Sequence, residues 1–339
     1  MHSCTCTPTN QYSELDNHNP TINFFIIIII IVFLERKLNH LKGRLEAPPT
    51  SKILTGFCSL LVLEAFPNQK TEIRILFGLN MLPEDVVSAI LSLTSPLDVC
   101  AFSLVSSTFR SAAEFDVIWE RFLPSDYQQL LSRLDLPLKF STKKELFFHL
   151  CNSVLIDGGR KSFRIEKSSG RKSYLLSARE LSITWGSDPM HWSWKKMAES
   201  RFPEAVELIT ISWLEIHGKI TTQMLSKNSK YGAYLVMNIS RRAYGLDTIP
   251  SEVSVKVRDR VSNGMAYICR QDIKKLKMDS YCVQREQFPN EREDGWMEIK
   301  LGEFFTGEDD EEVKMSLMEI KGYQLKGGLV IEGIEVRPI

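Results

Sequence analysis

From about Tyr174 to the carboxyl terminus, hydrophobic residues recur at every second position, and this feature most limits what the chain can fold into. In the stretches 252–258 and 297–301, apolar residues alternate with polar or charged ones, as they do in half-buried strands. Short strands separated by Gly, Pro and Asn predict an antiparallel β-sandwich of the jelly-roll kind. No pattern of long crossover helices interrupts them, which disfavours a parallel α/β sheet. Further β-rich runs lie at 206–220, 231–240, 313–320 and 330–336.

The preceding stretch, from Leu82 to Leu123, has a helical period instead. Leu82-Pro83 opens a helix with proline at a position where the missing N–H costs nothing, and Ser95-Pro96 opens a second helix. A third helix is predicted from about Ser107 to Ala113 and is closed by the apolar run that ends at Trp119. Three short helices bury too little surface to be stable alone, so we expect their apolar surface to have a partner. The predicted fold class is therefore α+β.

The helical stretch contains a set of residues that matches a known motif: Leu82, Pro83, Ile90, Leu91, Val99, Val105, Phe109 and Trp119. With this set the stretch resembles an F-box, the motif that docks a substrate receptor onto the Skp-type adaptor of a cullin-based ubiquitin ligase. The match depends on the whole set, because Leu-Pro pairs and helical leucines are common. The resemblance assigns these residues to adaptor binding. The alternative is a small helical cap on the domain that follows.

Residues 126–173 are predicted to connect the two parts as a helical linker with a short hairpin. Helices are expected from Ser125 to Leu138 and from Ser141 to Cys151, the second with Ser141 as its N-cap. A short strand at Ser162–Glu166 lies between two turns. The sequences GGRKS and SGRKS in these turns lack the spacing of a phosphate-binding loop, so we interpret them as hairpin turns.

The stretch ITWGSDPMHWSW, residues 183–194, holds three of the six tryptophans. We expect Trp194 to pack in the mouth of the sandwich. Trp185 and Trp192 flank a polar loop that contains Asp188, and we expect them to be exposed apolar platforms with carboxylates nearby. This combination suits a pyranose, whose C–H face stacks on a ring while its hydroxyls make directed hydrogen bonds. The alternative is that all three indoles fill the sandwich.

The motifs that continue this stretch are SRFPEAVELITISWLEIHGKI, YGAYLVMNIS, DGWMEIKLGEFF and EVKMSLMEIKGYQLKGGLVIEGIEVRP. With them residues 174–339 resemble the phloem protein 2 type of plant lectin domain, which recognises N-acetylglucosamine oligomers and N-glycan cores. The resemblance implies sugar contacts by Trp185, Trp192, Glu312 and Glu319. The two glutamates face opposite sides of a straight strand, unless Glu312 belongs to the preceding loop or the strand is bulged. His191 stands where this family usually has Tyr.

Together the resemblances predict the substrate receptor of a ubiquitin ligase. Its helical part would bind the Skp-type adaptor of the cullin ligase, and its sandwich a glycoprotein, an N-acetylglucosamine oligomer or another protein target. We predict no catalytic role and no cofactor, because the acids lie in exposed strand or loop positions without the paired spacing that a glycosidase needs. The alternative is a carbohydrate-binding lectin that is not coupled to ubiquitination.

The composition argues against other partners. The 42 basic and 42 acidic side chains give a net charge of zero, so we expect no general attraction to nucleic acid or to anionic membranes. Seven cysteines without CxxC or Cys/His spacing suggest neither a disulfide framework nor a zinc site. A reducing compartment fits this pattern, and we expect the protein in the cytoplasm and nucleus.

Residues 1–80 show no consistent pattern, and we predict that the functional protein begins at Met81. Their apolar run from Phe24 to Leu34 is shorter than the roughly 20 residues that a spanning helix needs. No Lys or Arg precedes this run, whereas a signal peptide has a basic start. We therefore expect no membrane anchor. The predicted boundaries are 1–80 for this extension, 81–125 for the F-box, 126–173 for the linker and 174–339 for the lectin domain.

Overall fold

The computed structural model describes residues 83–270 and 286–339. These residues fall into two compact units, one made of the described residues up to Val87 with Ala101–Ala113, the other of Ser88–Cys100 with Glu114–Ile339. Leu82 and the extension at 1–80 lie outside the described residues, so the predictions made for them are not addressed. Within the described ranges, no helix has the length and apolar character needed to cross a membrane.

Six α-helices precede the sheets in the described chain: α1 (Glu84–Ser92), α2 (Pro96–Phe102), α3 (Ser107–Ala112), α4 (Asp116–Phe122), α5 (Tyr127–Ser132) and α6 (Lys143–Cys151). The first three match the three predicted helices. Trp119 was predicted to close the third helix, but it lies in the separate helix α4. The reason is local, because Phe115 is extended (φ −72°, ψ 129°) and starts a new helix.

Polar side chains cap the helix starts. At α2 the cap is reciprocal, since Asp98 N donates to Ser95 Oγ (3.3 Å) and Ser95 N donates to Asp98 Oδ2 (3.0 Å). At α6 the N-cap is Thr142 rather than the predicted Ser141, because the Thr142 hydroxyl accepts from Glu145 N at 3.1 Å. Ser141 instead donates its backbone N–H to the Glu145 carboxylate.

Only part of the range from Ser125 to Leu138, which was predicted to be one helix, is helical, namely α5. Beyond α5, Leu134 bridges to Ile156 in an antiparallel pair. The segment leaves the helix because pairing with the first hairpin of the sheet supplies partners for its backbone groups.

Fifteen strands form two sheets in the described chain. They are β1 (Val154–Ile156), β2 (Lys161–Ile165), β3 (Lys172–Ser177), β4 (Ser182–Ile183), β5 (Trp192–Lys195), β6 (Ala205–Leu208), β7 (Leu214–Thr221), β8 (Ser229–Tyr244), β9 (Ser251–Val257), β10 (Arg260–Ala266), β11 (Glu286–Gln287), β12 (Asn290–Glu291), β13 (Met297–Thr306), β14 (Glu312–Glu319) and β15 (Gly327–Pro338). The nine-stranded sheet has the order β1-β2-β3-β15-β8-β13-β12, with β6 on β15 and β5 on β6. The six-stranded sheet has the order β11-β10-β9-β14-β7-β4, and only its β10–β11 pair is parallel.

The predicted period of two accounts for the layered core. In β9, Val253, Val255 and Val257 are buried, whereas the residues between them are less buried. Strand β15 is buried along almost its whole length, so both of its faces are covered. Gly218 of β7 leaves room for β15, since a Cβ there would lie 2.8 Å from Ile334 Cδ1. A helical region followed by a mostly antiparallel two-sheet domain confirms the predicted α+β class.

The hairpin that we placed in the linker is part of the nine-stranded sheet, because β2 pairs with both β1 and β3. The helices α4 to α6 are attached near this edge. Trp119 of α4 packs against Phe147 of α6 with ring centroids 5.2 Å apart. Lys172 at the start of β3 forms an ion pair with Asp126 at 3.0 Å. Helices α4 to α6 and the sheets therefore belong to one compact unit.

Candidate functional site

The loop that follows β4 carries Trp185 into solvent, where it is 50% exposed. Gly186 N donates to Ile183 O and Asp188 N donates to Trp185 O, both at 2.9 Å, so the chain turns twice in succession. Trp185 has a φ of 54°, in the left-handed region, which costs a residue with a side chain about 1 kcal/mol or more. A strained and half-exposed indole in a loop is a candidate for ligand contact.

His191 extends the aromatic surface of Trp185. The two ring centroids are 5.1 Å apart and the ring planes are inclined by 33°. Nδ1 of His191 lies 2.9 Å from Thr210 O, and because a carbonyl only accepts, Nδ1 carries the hydrogen. Nε2 lies 3.8 Å from the Asp188 carboxylate. The ring is thus oriented from both sides, although it replaces the Tyr that is usual in the family the sequence resembles.

The structure does not expose Trp192, which we expected to be a second platform. It is 2% exposed because its side chain faces inwards from β5, and its Nε1 donates to Thr184 O at 3.0 Å. Trp194 is half-buried, and its Nε1 donates to Gly186 O at 2.9 Å. These two indoles hold the loop on either side of Trp185 and therefore support its strained backbone.

Glu312 and Glu319 occupy opposite ends and opposite faces of β14. Seven residues of an antiparallel strand span about 24 Å, and the pairing of β14 with β7 shows no bulge. Glu319 pairs with Leu214 at the start of β7. The same part of β7 pairs with β4, which leads into the Trp185 loop, so Glu319 and Trp185 lie at the same end of the sandwich. Glu319 is buried, however, in an ion pair with Lys326. Glu312 is exposed at the far end. The structure therefore does not bring the two glutamates into one site with Trp185.

The carboxylates that accompany the Trp185 loop are those of Asp188 and Glu215. One oxygen of Asp188 accepts a backbone N–H within the loop at 2.9 Å. Glu215 Oε2 accepts the Thr184 hydroxyl at 3.2 Å. Asp188 was expected here from its place in the polar loop, whereas Glu215 was not; its signal in the sequence is the alternation of β7, which turns every second residue outwards. In the described ranges, no group of three or more His, Cys, Asp or Glu side chains is placed to hold a metal ion.

The far end of the sandwich holds a groove of about 590 Å³ that no sequence pattern predicted. It lies where β14 begins, beside the turn between β9 and β10, and its lining includes Arg258, Val261, Phe305 and Glu311. Arg258 has a φ of 50°, and its Nε lies 2.8 Å from Glu311 Oε1. Val261 and Phe305 are half-exposed, so the groove has apolar surface.

Burial divides the residues that the F-box resemblance assigns to adaptor binding. Those that are at most 1% exposed are Leu91, Val99, Phe109 and Trp119. These four are core residues rather than contact surface in this conformation, because the apolar side of a short helix packs inwards. The remaining described members are Ile90 and Val105, which are half-buried, and Pro83, which is exposed.

Three apolar side chains of the helical region are more than half exposed, which the sequence did not predict. Leu97 is 54% exposed, Leu104 79% and Val117 70%. Leu97 lies in α2, Leu104 in the turn that follows it and Val117 in α4. The signal that could have found them is an apolar residue on the polar side of a short helix.

Two family profiles match the chain. The F-box domain matches residues 79–121, and Phloem protein 2 matches residues 171–338. F-box protein PP2-B15 of Arabidopsis thaliana is 51% identical over 282 residues, which cover 76% of this chain and 96% of that protein. F-box protein PP2-B13 of the same organism is 50% identical over 279 residues, which cover 76% of this chain and 98% of that protein.

Solved structures give a much weaker likeness. The CBM22-1 xylan-binding domain of Paenibacillus barcinonensis Xyn10C aligns with 48% of this chain and 88% of its own, at a TM-score of 0.25 and 9% identity. That likeness is no evidence for a shared function. The sequence relatives confirm both resemblances predicted from the motifs. The chain belongs to the F-box proteins that carry a phloem protein 2 domain.

Proposed function

We propose that this protein is the substrate-recognition subunit of a Skp-cullin-F-box ubiquitin ligase in the cytoplasm and nucleus. The F-box domain and the F-box relatives support binding of the helical region to the Skp-type adaptor. The phloem protein 2 domain and the half-exposed Trp185 support binding of the sandwich to a glycosylated target. The protein itself performs no catalytic step. It raises the effective concentration of the target near the ligase.

Adaptor binding would use the exposed apolar side chains of each compact unit in the helical region, namely Pro83 and Leu104 in one unit and, separately, Leu97 and Val117 in the other. Moving such side chains from water into a partner's groove is favourable by about 25 cal/mol per Å² of apolar surface. The buried residues of the F-box set would contribute indirectly, because they hold the helices that carry the exposed ones. Trp119 is an example, since its ring packs from α4 against Phe147 of α6.

Two leucines with equal exposure allow a matched test. Leu104 and Leu136 are each 79% exposed, but Leu104 follows α2 and Leu136 lies in the linker beyond α5. We expect Leu104→Ser to lose co-purification with a Skp-type adaptor and Leu136→Ser to keep it. Equal retention by both variants would contradict the assigned surface. A wild-type chain that captures no adaptor would favour the alternative, a lectin that is not coupled to ubiquitination.

Glycan binding would centre on Trp185, and the observation that carries this proposal is its half-exposed ring beside His191. The ring faces suit the C–H face of N-acetylglucosamine, while Asp188 and Glu215 supply acceptors for its hydroxyl and amide hydrogens. Trp192 and Glu319, which the resemblance assigns to sugar contact, would act by stabilising this end of the fold.

A glycan array tests the assignment with a control at the other end of the sandwich. Phe305 is an exposed aromatic (53%) in the groove beside the β9–β10 turn, and Trp185 is exposed to a similar extent (50%). We expect Trp185→Ala to lose the signal of N-acetylglucosamine-containing glycans and Phe305→Ala to keep it. The reverse result would move the glycan site to the groove.

A further inference from the structure

One edge of the six-stranded sheet is open beside the β9–β10 turn. Strand β10 pairs with β9 along its whole length, from Arg260 to Ala266. On its other side, β11 pairs only with Met265 and Ala266. Within residues 83–270 and 286–339, no strand pairs with this second side of β10 from Arg260 to Gly264. The backbone groups that point away from β9 there have no strand partner in the described chain.

The register shows which residues of β10 point away from β9. Arg260 directly follows the two-residue turn, so it shares hydrogen bonds with β9, and every second residue after it does the same. Val261 and Asn263 therefore direct their N–H and C=O groups outwards. The continuation of the strand has the same phase, because Tyr267 N donates to Gln287 O of β11 at 2.9 Å.

The sequence of this edge does not protect it from pairing. Free edges of natural sheets are usually protected by Lys, by Pro or by a bulge. Residues 261–264 read VSNG, and their pairing with β9 runs without a bulge. An unprotected edge can add an extended chain as a further strand, and main-chain hydrogen bonds then supply much of the affinity.

The groove of about 590 Å³ lies along this edge. Its lining includes Val261 and Ser262 of β10 and Phe305 of β13. The two strands approach closely, since a Cβ on Gly302 would lie 3.0 Å from Ser262 Oγ. Alternate side chains of a strand added to β10 would therefore enter the groove, where the half-exposed Phe305 offers apolar surface.

The charges of the groove indicate one side chain of the occupant. The carboxylates of Glu303, Asp309 and Glu311 each have a basic partner within the protein. Arg260 also lines the groove, but it forms no ion pair with any residue that the structure describes. Asp259, which is likewise without an ion pair there, lies in the turn before the strand. A carboxylate on an added strand would meet the unpaired guanidinium group of Arg260, and such charge-assisted hydrogen bonds are the strong ones.

We propose that the edge of β10 binds an extended segment of a target polypeptide by strand addition, with apolar side chains in the groove and a carboxylate on Arg260. This inference rests on the proposed role as a substrate receptor. It does not rest on glycan binding, because the groove lies at the other end of the sandwich from Trp185. The backbone of the target supplies the affinity, and its alternate side chains supply the specificity.

Amide hydrogen exchange of the full chain, followed by NMR, tests the open edge. In the free chain we expect slow exchange for Ser262 and Gly264, whose N–H groups point to β9, and fast exchange for Val261 and Asn263. Slow exchange of all four would overturn the proposal, because the edge would already be occupied. Protection of Val261 and Asn263 that appears only as the protein concentration rises would also overturn it, in favour of a second copy of this chain.

A display library of decapeptides supplies the probe. Each position is drawn at random from Val, Leu, Phe, Ser, Glu and Lys. We expect the wild type to select apolar peptides that contain Glu, and Arg260→Glu to select apolar peptides that contain Lys. Arg260 is exposed, so the substitution leaves the core intact. A wild type that selects no peptide, or two proteins that select the same peptides, would overturn the proposal.

The backbone contacts are tested by titration with the most enriched peptide. Val261→Pro removes one outward N–H and should weaken binding about tenfold, whereas Val261→Thr keeps that N–H and should change binding less than about twofold. If Val261→Pro does not fold, two N-methylated forms of the peptide are compared on the wild type. Methyl groups on one alternate set of amides should abolish binding, and those on the other set should not. Equal binding by the two variants, or of the two methylated peptides, would overturn strand addition.

Trp185→Ala separates this proposal from that of glycan binding. We expect it to bind the selected peptide as the wild type does, while it loses the glycan signal. Loss of peptide binding in this variant would overturn the assignment of the peptide to β10. A wild type that binds glycans and the adaptor but selects no peptide would overturn strand addition alone.

Discussion

Glu319 and Lys326 form an ion pair that is almost completely withdrawn from water, with side chains 3% and 2% exposed. Lys326 Nζ also donates to Ser212 O at 2.6 Å and to Gln324 O at 3.2 Å. Glu319 Oε1 accepts the Gly322 N–H at 2.8 Å. Both charges therefore have several partners, and the pair ties the end of β14 to the segment that precedes Trp213.

Glu319→Gln should destabilise the protein by about 3 kcal/mol, because it leaves the Lys326 charge buried without a counter-charge. The measurement is the free energy of unfolding from urea titration. Glu312→Gln is the matched control on the same strand, and we expect it to leave the unfolding free energy almost unchanged, since Glu312 is exposed. If Glu319→Gln lost glycan binding while keeping its stability, Glu319 would be a sugar contact and not a structural residue.

Trp185 and Trp192 should separate binding from stability. Trp185→Gly removes the strain of a left-handed backbone, so we expect an unfolding free energy that is unchanged or raised by up to about 1 kcal/mol, together with loss of glycan binding. Trp192→Ala deletes a buried indole and should lower the unfolding free energy by about 3–5 kcal/mol. Urea titration and the glycan array measure the two effects. A Trp185→Gly variant that binds glycans normally would show that the exposed ring is not part of the site.

The sequence predicted side-chain burial well where one strand alone decides it. In β9 the alternation places Val255 inside whatever the neighbouring strands do, because a strand has only two faces. The orientation of Trp192 could not be predicted in this way, since the left-handed residue Trp185 and the following turns reset the phase before β5 begins. The contact of Glu215 with Thr184 depends on the register between two strands, which no local pattern reveals.

The same limit applies to charged residues. The spacing of Glu312 and Glu319 predicted that they face opposite sides of a strand, and β14 has them so. What the spacing could not show is that the partner of Glu319 is Lys326, because that pair forms only when β14 and the segment before β15 come together. A buried carboxylate and an exposed one have the same appearance in a sequence.

Gly170 should be a point of attachment between α4 and the sheet. It has a φ of 69° in the turn between β2 and β3, and a Cβ there would lie 2.7 Å from Phe122 O. Gly158 has the same φ of 69° but has no atom within 4 Å of such a Cβ. We expect Gly158→Ala to cost about 1 kcal/mol for the backbone alone and Gly170→Ala to cost clearly more, as measured by urea titration. Equal losses would mean that the turn does not press against α4.

Asp157 and Arg133 join the turn after β1 to the end of α5. Arg133 Nε donates to Asp157 Oδ1 at 2.9 Å and a terminal guanidinium nitrogen donates to Oδ2 at 2.8 Å. This hydrogen bonding lowers the pKa of the Asp157 carboxyl from 3.8 to about 2, against the opposing effect of burial. A carboxyl whose pKa is lower in the folded state stabilises the fold above its unfolded pKa, and that contribution disappears as the pH falls through the folded pKa.

Asp157→Asn should therefore lower stability in a pH-dependent way. Asn adopts the left-handed backbone of this position (φ 58°) readily, so the substitution removes the charge and leaves the turn intact. We expect the full difference in unfolding free energy between wild type and variant at about pH 6, a smaller one near pH 3 and only a small remainder at about pH 2, because protonation of Asp157 progressively removes the same charge from the wild type. Urea titrations at these three pH values measure it. A difference that stayed constant across them would assign the loss to the backbone of the turn and not to the pairing with Arg133.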